Sequence, residues 1–218
     1  MNRIVSAIKY GFEDKALSIL KDSDSSLSIR NYLKLINLTF EFGTAKILDW
    51  LINSSQHRFD LMNINWKSKF NDAVNKSHLE IVKLLLSDKR VDPCANKNFA
   101  IRCASQIGHT EVVKLLLQDK RVDPSDVNNY AIRHASQNGH TEVVKLLLQD
   151  KRVDPCDFNN FAIQSASENG HTEGVKLLLA DKRVDPSAQY NCAIKYAIYN
   201  GNTKIVKLLK DAGYKLNP

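Results

Sequence analysis

Long apolar runs are missing from this 218-residue chain. No stretch approaches the 18 or more consecutive apolar residues that cross a bilayer as a helix. The opening segment, MNRIVSAIKYGFEDK, meets acidic residues before any apolar core of signal-peptide length. Both absences point to a cytoplasmic protein with no membrane partner. Cysteine is scarce as well. The four present form no C-x-x-C pair and no Cys/His cluster at zinc-ligand spacing, which predicts reduced thiols and no metal. Eight glycines occur, none in a phosphate-cradling loop or a nucleophile elbow. No cofactor is expected, and an enzyme is disfavoured. The net charge of +7 raises nucleic acid as a partner, a question that depends on where those charges sit.

The chain has repetition instead. Gly108, Gly139, Gly170 and Gly201 recur every 31 residues, as do Pro93, Pro124, Pro155 and Pro186. The unit beginning at Asp123 reads DPSDVNNYAIRHASQNGHTEVVKLLLQDKRV. It contains two helical patterns. The first runs from Tyr130 to Asn138, with Ala131, Ile132 and Ala135 on one face, Asn129 as the expected N-cap, and Gly139 ending it in a left-handed conformation. The second starts near Thr141, read as its cap, and buries Val143, Val144, Leu147 and Leu148. The following V-D-P forces extended chain. One such pair cannot bury its apolar face alone, so neighbouring units must stack as a solenoid. Cys94 and Cys156, two units apart, then lie beyond disulfide reach.

The amino-terminal part fits the same scheme more loosely. Ser77-His78 stands where later units have Gly-His, and GTAKILDWLI from Gly43 matches the second helix, with Trp50 at a leucine position. Gly11 and KALSILK match once more, and DSDSSLS from Asp22 reads as a loop. The expectation is an all-α solenoid of about seven helix pairs forming one domain over 1–218. Residues 1–59 are degenerate repeats and cap, 60–91 a partial repeat, 92–184 three regular units, and 185–218 the last repeat and cap.

The pattern A-I-x-x-A-S-x-N-G-H-T-E-V-V-K-L-L-L resembles the ankyrin repeat, whose consensus carries T-P-L-H-x-A-A-x-x-G-H-x-E-V-V-K-L-L-L. It is similar in particular to the divergent repeats of mimivirus-like giant viruses and of amoebae. The resemblance implies helix–loop–helix units that bind protein partners by a concave face, a host protein if the origin is viral. Two departures stand out. The unit is two residues shorter than the usual 33, which predicts short or absent β-hairpin fingers. Tyr130–Arg133 replaces Thr-Pro-Leu-His, so the family's Thr–His hydrogen bond cannot form and capping by Asn129 is expected to substitute.

Recurrence also decides the candidate sites. His78, His109, His140 and His171 follow the turn position of their units, where each is expected to bond backbone near its turn. His134 and His57 are lone surface residues. Ser105, Ser136 and Ser167 replace a family alanine for its small size. Lys83, Lys114, Lys145, Lys176 and Lys207 recur on the second helix, four of them three residues after a glutamate, and read as solvated surface. Without interleaved aromatics this argues against nucleic acid.

Residues that differ between near-identical units are the candidates for partner recognition. In the loops these include Asp126, Asp157, Phe158 and Tyr190. On the side of the first helix expected to be exposed they are Arg102, Gln106, Arg133, Gln137, Gln164, Glu168, Lys195 and Tyr199. Exposed aromatics resemble interface anchors, which places the strongest contact in the carboxy-terminal half. The reading is a monomeric protein-binding scaffold in preference to a self-assembling protein. Gly174, inside a helix where other units have valine, is a local weakness.

Overall fold

The structure, a computed structural model, describes residues 1–23, 28–53, 64–184 and 188–213; the side chains of Ser23 and of residues 188–190 are outside that description. Among the described residues there are fourteen helices and no strand: α1 (Asn2–Lys9), α2 (Glu13–Ser23), α3 (Ile29–Phe42), α4 (Ala45–Asn53), α5 (Trp66–Asn75), α6 (Leu79–Ser87), α7 (Ala95–Ile107), α8 (Thr110–Gln118), α9 (Asp126–Gln137), α10 (Thr141–Gln149), α11 (Asp157–Glu168), α12 (Thr172–Ala180), α13 (Ala188–Tyr199) and α14 (Thr203–Asp211). They make the seven expected pairs, in two compact units, Met1–Asp92 and Pro93–Pro218. Within the first unit α1, α3 and α5 contact in sequence, and so do α2, α4 and α6; in the second, α7, α9, α11 and α13 form one row and α8, α10, α12 and α14 the other.

The core of each repeat follows from apolar spacing. Val143, Val144 and Leu147 of α10 are buried against Ala131, Ile132 and Ala135 of α9, whereas Leu148 is half-exposed. Small residues on the first helix let it approach the second, and each buried aliphatic side chain contributes about 1.5–3 kcal/mol. Trp50 is half-buried on α4, like the leucines at its position in later units. Asp22 and Ser23 belong to α2 instead of the loop expected there, and the Ser28 hydroxyl accepts from Asn31 N to start α3.

Between pairs the chain turns tightly where a hairpin finger would stand. Asp119 Oδ1 accepts from Arg121 N at 3.0 Å, and the Arg121 guanidinium returns to both carboxylate oxygens. Asp88–Arg90, Asp150–Arg152 and Asp181–Arg183 repeat this turn. The guanidinium beside each aspartate holds its carboxyl below the usual range. Arg152 and Arg183 also tie their repeats to the ones before. Arg152 Nη1 donates to Val122 O and Arg183 Nη1 to Val153 O, both at 2.6 Å. The arginines of the turn are therefore structural fastenings that remain exposed on the surface, whereas the aspartates they pair with are half-buried.

In the first turn of α7, α9 and α11 the backbone is left-handed. Asn96–Asn98, Val127–Asn129 and Phe158–Asn160 all have φ between 52° and 62°. Three consecutive residues there are costly, roughly 1–2 kcal/mol each for residues other than glycine, and asparagine tolerates the conformation best. The asparagines correct the capping expectation. Asn129 does not cap its own helix: its Oδ1 accepts from Asp154 N at 2.8 Å and its Nδ2 donates to Asp157 Oδ2 at 2.9 Å, fastening the next repeat. Asn98 does the same to Asp123 and Asp126. Thr141 is not a cap either; His140 holds that position without a side-chain capping bond.

Candidate protein-interaction face

The first helices of the 93–218 unit present a row of rings and guanidinium groups. Phe99, Tyr130 and Phe161 hold the same position in successive repeats, each half-buried. Arg102 lies over Tyr130, 5.1 Å from its centroid, and over Phe99 at 5.9 Å. Arg133 faces three rings, Phe158 at 4.6 Å, Phe161 at 5.4 Å and Tyr130 at 5.9 Å. Tyr130 stacks on His134 at 3.8 Å, and Phe158 meets Phe161 edge-on. The ring faces are electron-rich and attract the cations that cover them.

The same arginines hold the left-handed turns. Arg133 donates through Nε to Asn128 O at 2.7 Å and through Nη2 to Val127 O at 3.1 Å. Arg102 reaches Lys97 O and Asn96 O in the same way, and Gln164 reaches Asn159 O at 2.6 Å. A side chain five residues on satisfies carbonyls that the reversed turn points away from the helix. Arg133 is thereby buried, at 8% exposure, which corrects its placement on the exposed side of α9. Burial disfavours its charge, with Asp157 opposing that effect.

The remaining candidates divide. Phe158, at 56% exposure, and Tyr199, at 89%, are open aromatics, and Gln106, Glu168 and Lys195 are exposed. Asp126 and Asp157 are half-buried and serve the turns, accepting from Val127 N and Phe158 N as well as from the asparagines before them. Gln106 accepts from the Tyr130 hydroxyl through Oε1 and from Asn138 Nδ2 through its carbonyl. Gln137 is half-buried and offers its carbonyl to His171. Tyr190 and His57 lie outside the described side chains.

His140 and His171 do bond backbone, but to the preceding repeat, through Nε2 to Gln106 O at 3.0 Å and to Gln137 O at 2.9 Å. Asn202 replaces them in the last repeat, donating to Ser167 O and Glu168 O. His134, read as surface, is half-buried in the aromatic row. Among the described residues no group of three or more His, Cys, Asp or Glu is placed to hold a metal ion, and no helix is long and apolar enough to cross a membrane.

The rings at 99, 130 and 161 went unselected in the sequence because they vary so little. The signal was their 31-residue spacing combined with aromatic character at a position that packing leaves half-open. Comparison with protein families gives matches to the family described as ankyrin repeats (3 copies) over residues 36–128, 70–159, 101–190 and 132–218. No curated protein matches the chain.

Proposed function

The chain belongs to the ankyrin repeat family, a family of protein-interaction modules, and from that premise we propose that it is a non-enzymatic scaffold binding a protein partner through its first helices and left-handed turns. The carrying observation is Phe158. It is the most open ring of a continuous aromatic–arginine row, held in place by Arg133 beneath it. A preorganised, partly exposed aromatic is the usual anchor of a protein interface. In this reading 1–218 acts as one interaction domain in the cytoplasm, with face contacts strongest in the carboxy-terminal half. The similarity to repeats of giant viruses makes a host protein the partner class to seek first.

The test is quantitative affinity purification from host-cell lysate with the wild type, a Phe158→Ala/Tyr199→Ala variant and a Lys145→Ala/Lys176→Ala control on the second helices. A protein retained by the control and lost by the aromatic variant supports the proposal. Loss with the lysine variant alone places binding on the opposite row.

A second reading, self-association, rests on Tyr196, Ile198 and Tyr199, which leave α13 exposed at 40%, 45% and 89%. Sedimentation velocity over a concentration series separates the two, since a monomeric adaptor keeps one sedimentation coefficient throughout.

A further inference from the structure

We propose that the row of first helices receives an extended, carboxylate-bearing peptide segment, with Arg102 and Arg133 each meeting an acidic side chain; this rests on the protein-binding reading above and names the chemistry of the partner. The distinguishing fact is how the arginines are paired. Arg90, Arg121, Arg152 and Arg183 each face an aspartate two residues earlier. Arg102 and Arg133 face backbone carbonyls instead, and among the described residues no carboxylate lies within ion-pair distance of either. Carbonyls orient a guanidinium without cancelling its charge. Nε and Nη2 are engaged, which leaves Nη1 of each group to a ligand.

The geometry sets the ligand's spacing. Both guanidinium carbons flank the ring of Tyr130, at 5.1 and 5.9 Å from its centroid. They are therefore at most about 11 Å apart, in keeping with the roughly 8–10 Å between packed helices. A polyproline II segment has three residues per turn and rises about 3.1 Å per residue, so acidic residues three apart lie on one face and reach both groups. The half-buried rings of Phe99, Tyr130 and Phe161 offer apolar surface to the residues between.

Nucleic acid fits this face less well. The recurring lysines 114, 145, 176 and 207 lie on the other row of helices.

Gln164 supplies the control variant, because glutamine at this position already holds its turn by one bond to Asn159 O. Arg102→Gln/Arg133→Gln removes two charges and keeps that bond. Fluorescence anisotropy would follow a labelled twelve-residue peptide of four Glu-Leu-Pro triplets binding the full chain. The same peptide with glutamine for glutamate and a twelve-nucleotide oligothymidine would be run beside it, with circular dichroism to verify folding. Expected is saturable, salt-sensitive binding of the acidic peptide, weakened ~tenfold or more in the folded double variant, since charge-assisted bonds carry that much. Equal binding by the variant, equal binding of the neutral peptide, preference for the oligonucleotide, or no binding at millimolar peptide would each overturn the proposal. Repeating the lysate purification with the double variant separates the two readings. A partner lost with Phe158→Ala/Tyr199→Ala but kept by the arginine variant leaves the protein-binding role standing and removes the acidic segment alone.

Discussion

Gly139 lies directly beneath the imidazole of His171: a Cβ on this glycine would stand 2.5 Å from Nδ1. Gly108 has the same relationship to His140. The turn glycine is thus required twice, by its left-handed φ and by a ring reaching back from the next repeat.

The glycines form a graded series. Gly201 has a left-handed φ of 71° but nothing within 4 Å of a built Cβ, whereas Gly139 at 73° meets the ring. Gly201→Ala is expected to lose about 1 kcal/mol, the conformational cost alone. Gly139→Ala should lose about 2–4 kcal/mol, since the ring must also leave its carbonyl. Guanidinium denaturation of both variants measures the difference, and equal losses would show that His171 moves aside freely.

Within the left-handed turns, Val127→Asn is expected to stabilise by about 1 kcal/mol, because a β-branched side chain suits positive φ worst and Asn96 already fills that position one repeat earlier. Asn129→Ala should destabilise by about 2–4 kcal/mol through loss of two inter-repeat hydrogen bonds and added strain. Thermal melts rank the two; a neutral Asn129→Ala would mean the bridges carry no net stability.

Ser105, Ser136 and Ser167 are buried, and none of their hydroxyls has a partner. Ser136→Ala should therefore stabilise by up to about 1 kcal/mol, the desolvation no longer being uncompensated. A rise in the denaturation midpoint at constant slope is the outcome to look for; a fall would reveal a bond the hydroxyl makes in solution.

Gly174 is buried in α12, and a Cβ there would meet only His171 Cβ, at 3.9 Å. Gly174→Ala should add about 1 kcal/mol and raise Tm by about 2–4 °C. Gly174→Val should also raise it, by less, because a branched side chain has weaker helix propensity.

Acid acts through His78. Burial first, and the nearby Lys76 second, hold its imidazole below 6.5. The unfolded chain then takes the proton before the folded one, so stability is lost as pH falls from 6.5 through the folded value. His134 adds a slope of the same sign, again from burial first and Arg133 second. The turn aspartates stay ionised in this window, being held below 3.8. His78→Asn, which copies the choice made at Asn202, should shrink the Tm difference between pH 7.5 and pH 5.5. An unchanged difference would exclude His78 as a contributor.

The helices were legible because glycine, proline and apolar spacing are local signals repeated every 31 residues. The fastenings were not, since their partners lie 25 to 34 residues away, as for Asn129 with Asp154 and His140 with Gln106. Asn128 and Asn129 did announce something unusual, but capping and a left-handed turn favour the same residue. Variation misled at Arg133. It differs between repeats because arginine and glutamine can both reach the turn carbonyls, not because the position is open to solvent.

In residues 93–184, each arginine, asparagine and histidine bridge between repeats joins one 31-residue unit to the next and skips none. A duplication or loss of a whole unit in the gene therefore returns a chain in which the new junction has the same donors and acceptors as the old ones. Length is accordingly a trait that copying errors can change in whole steps without first breaking the fold, and the aromatic row lengthens or shortens with it.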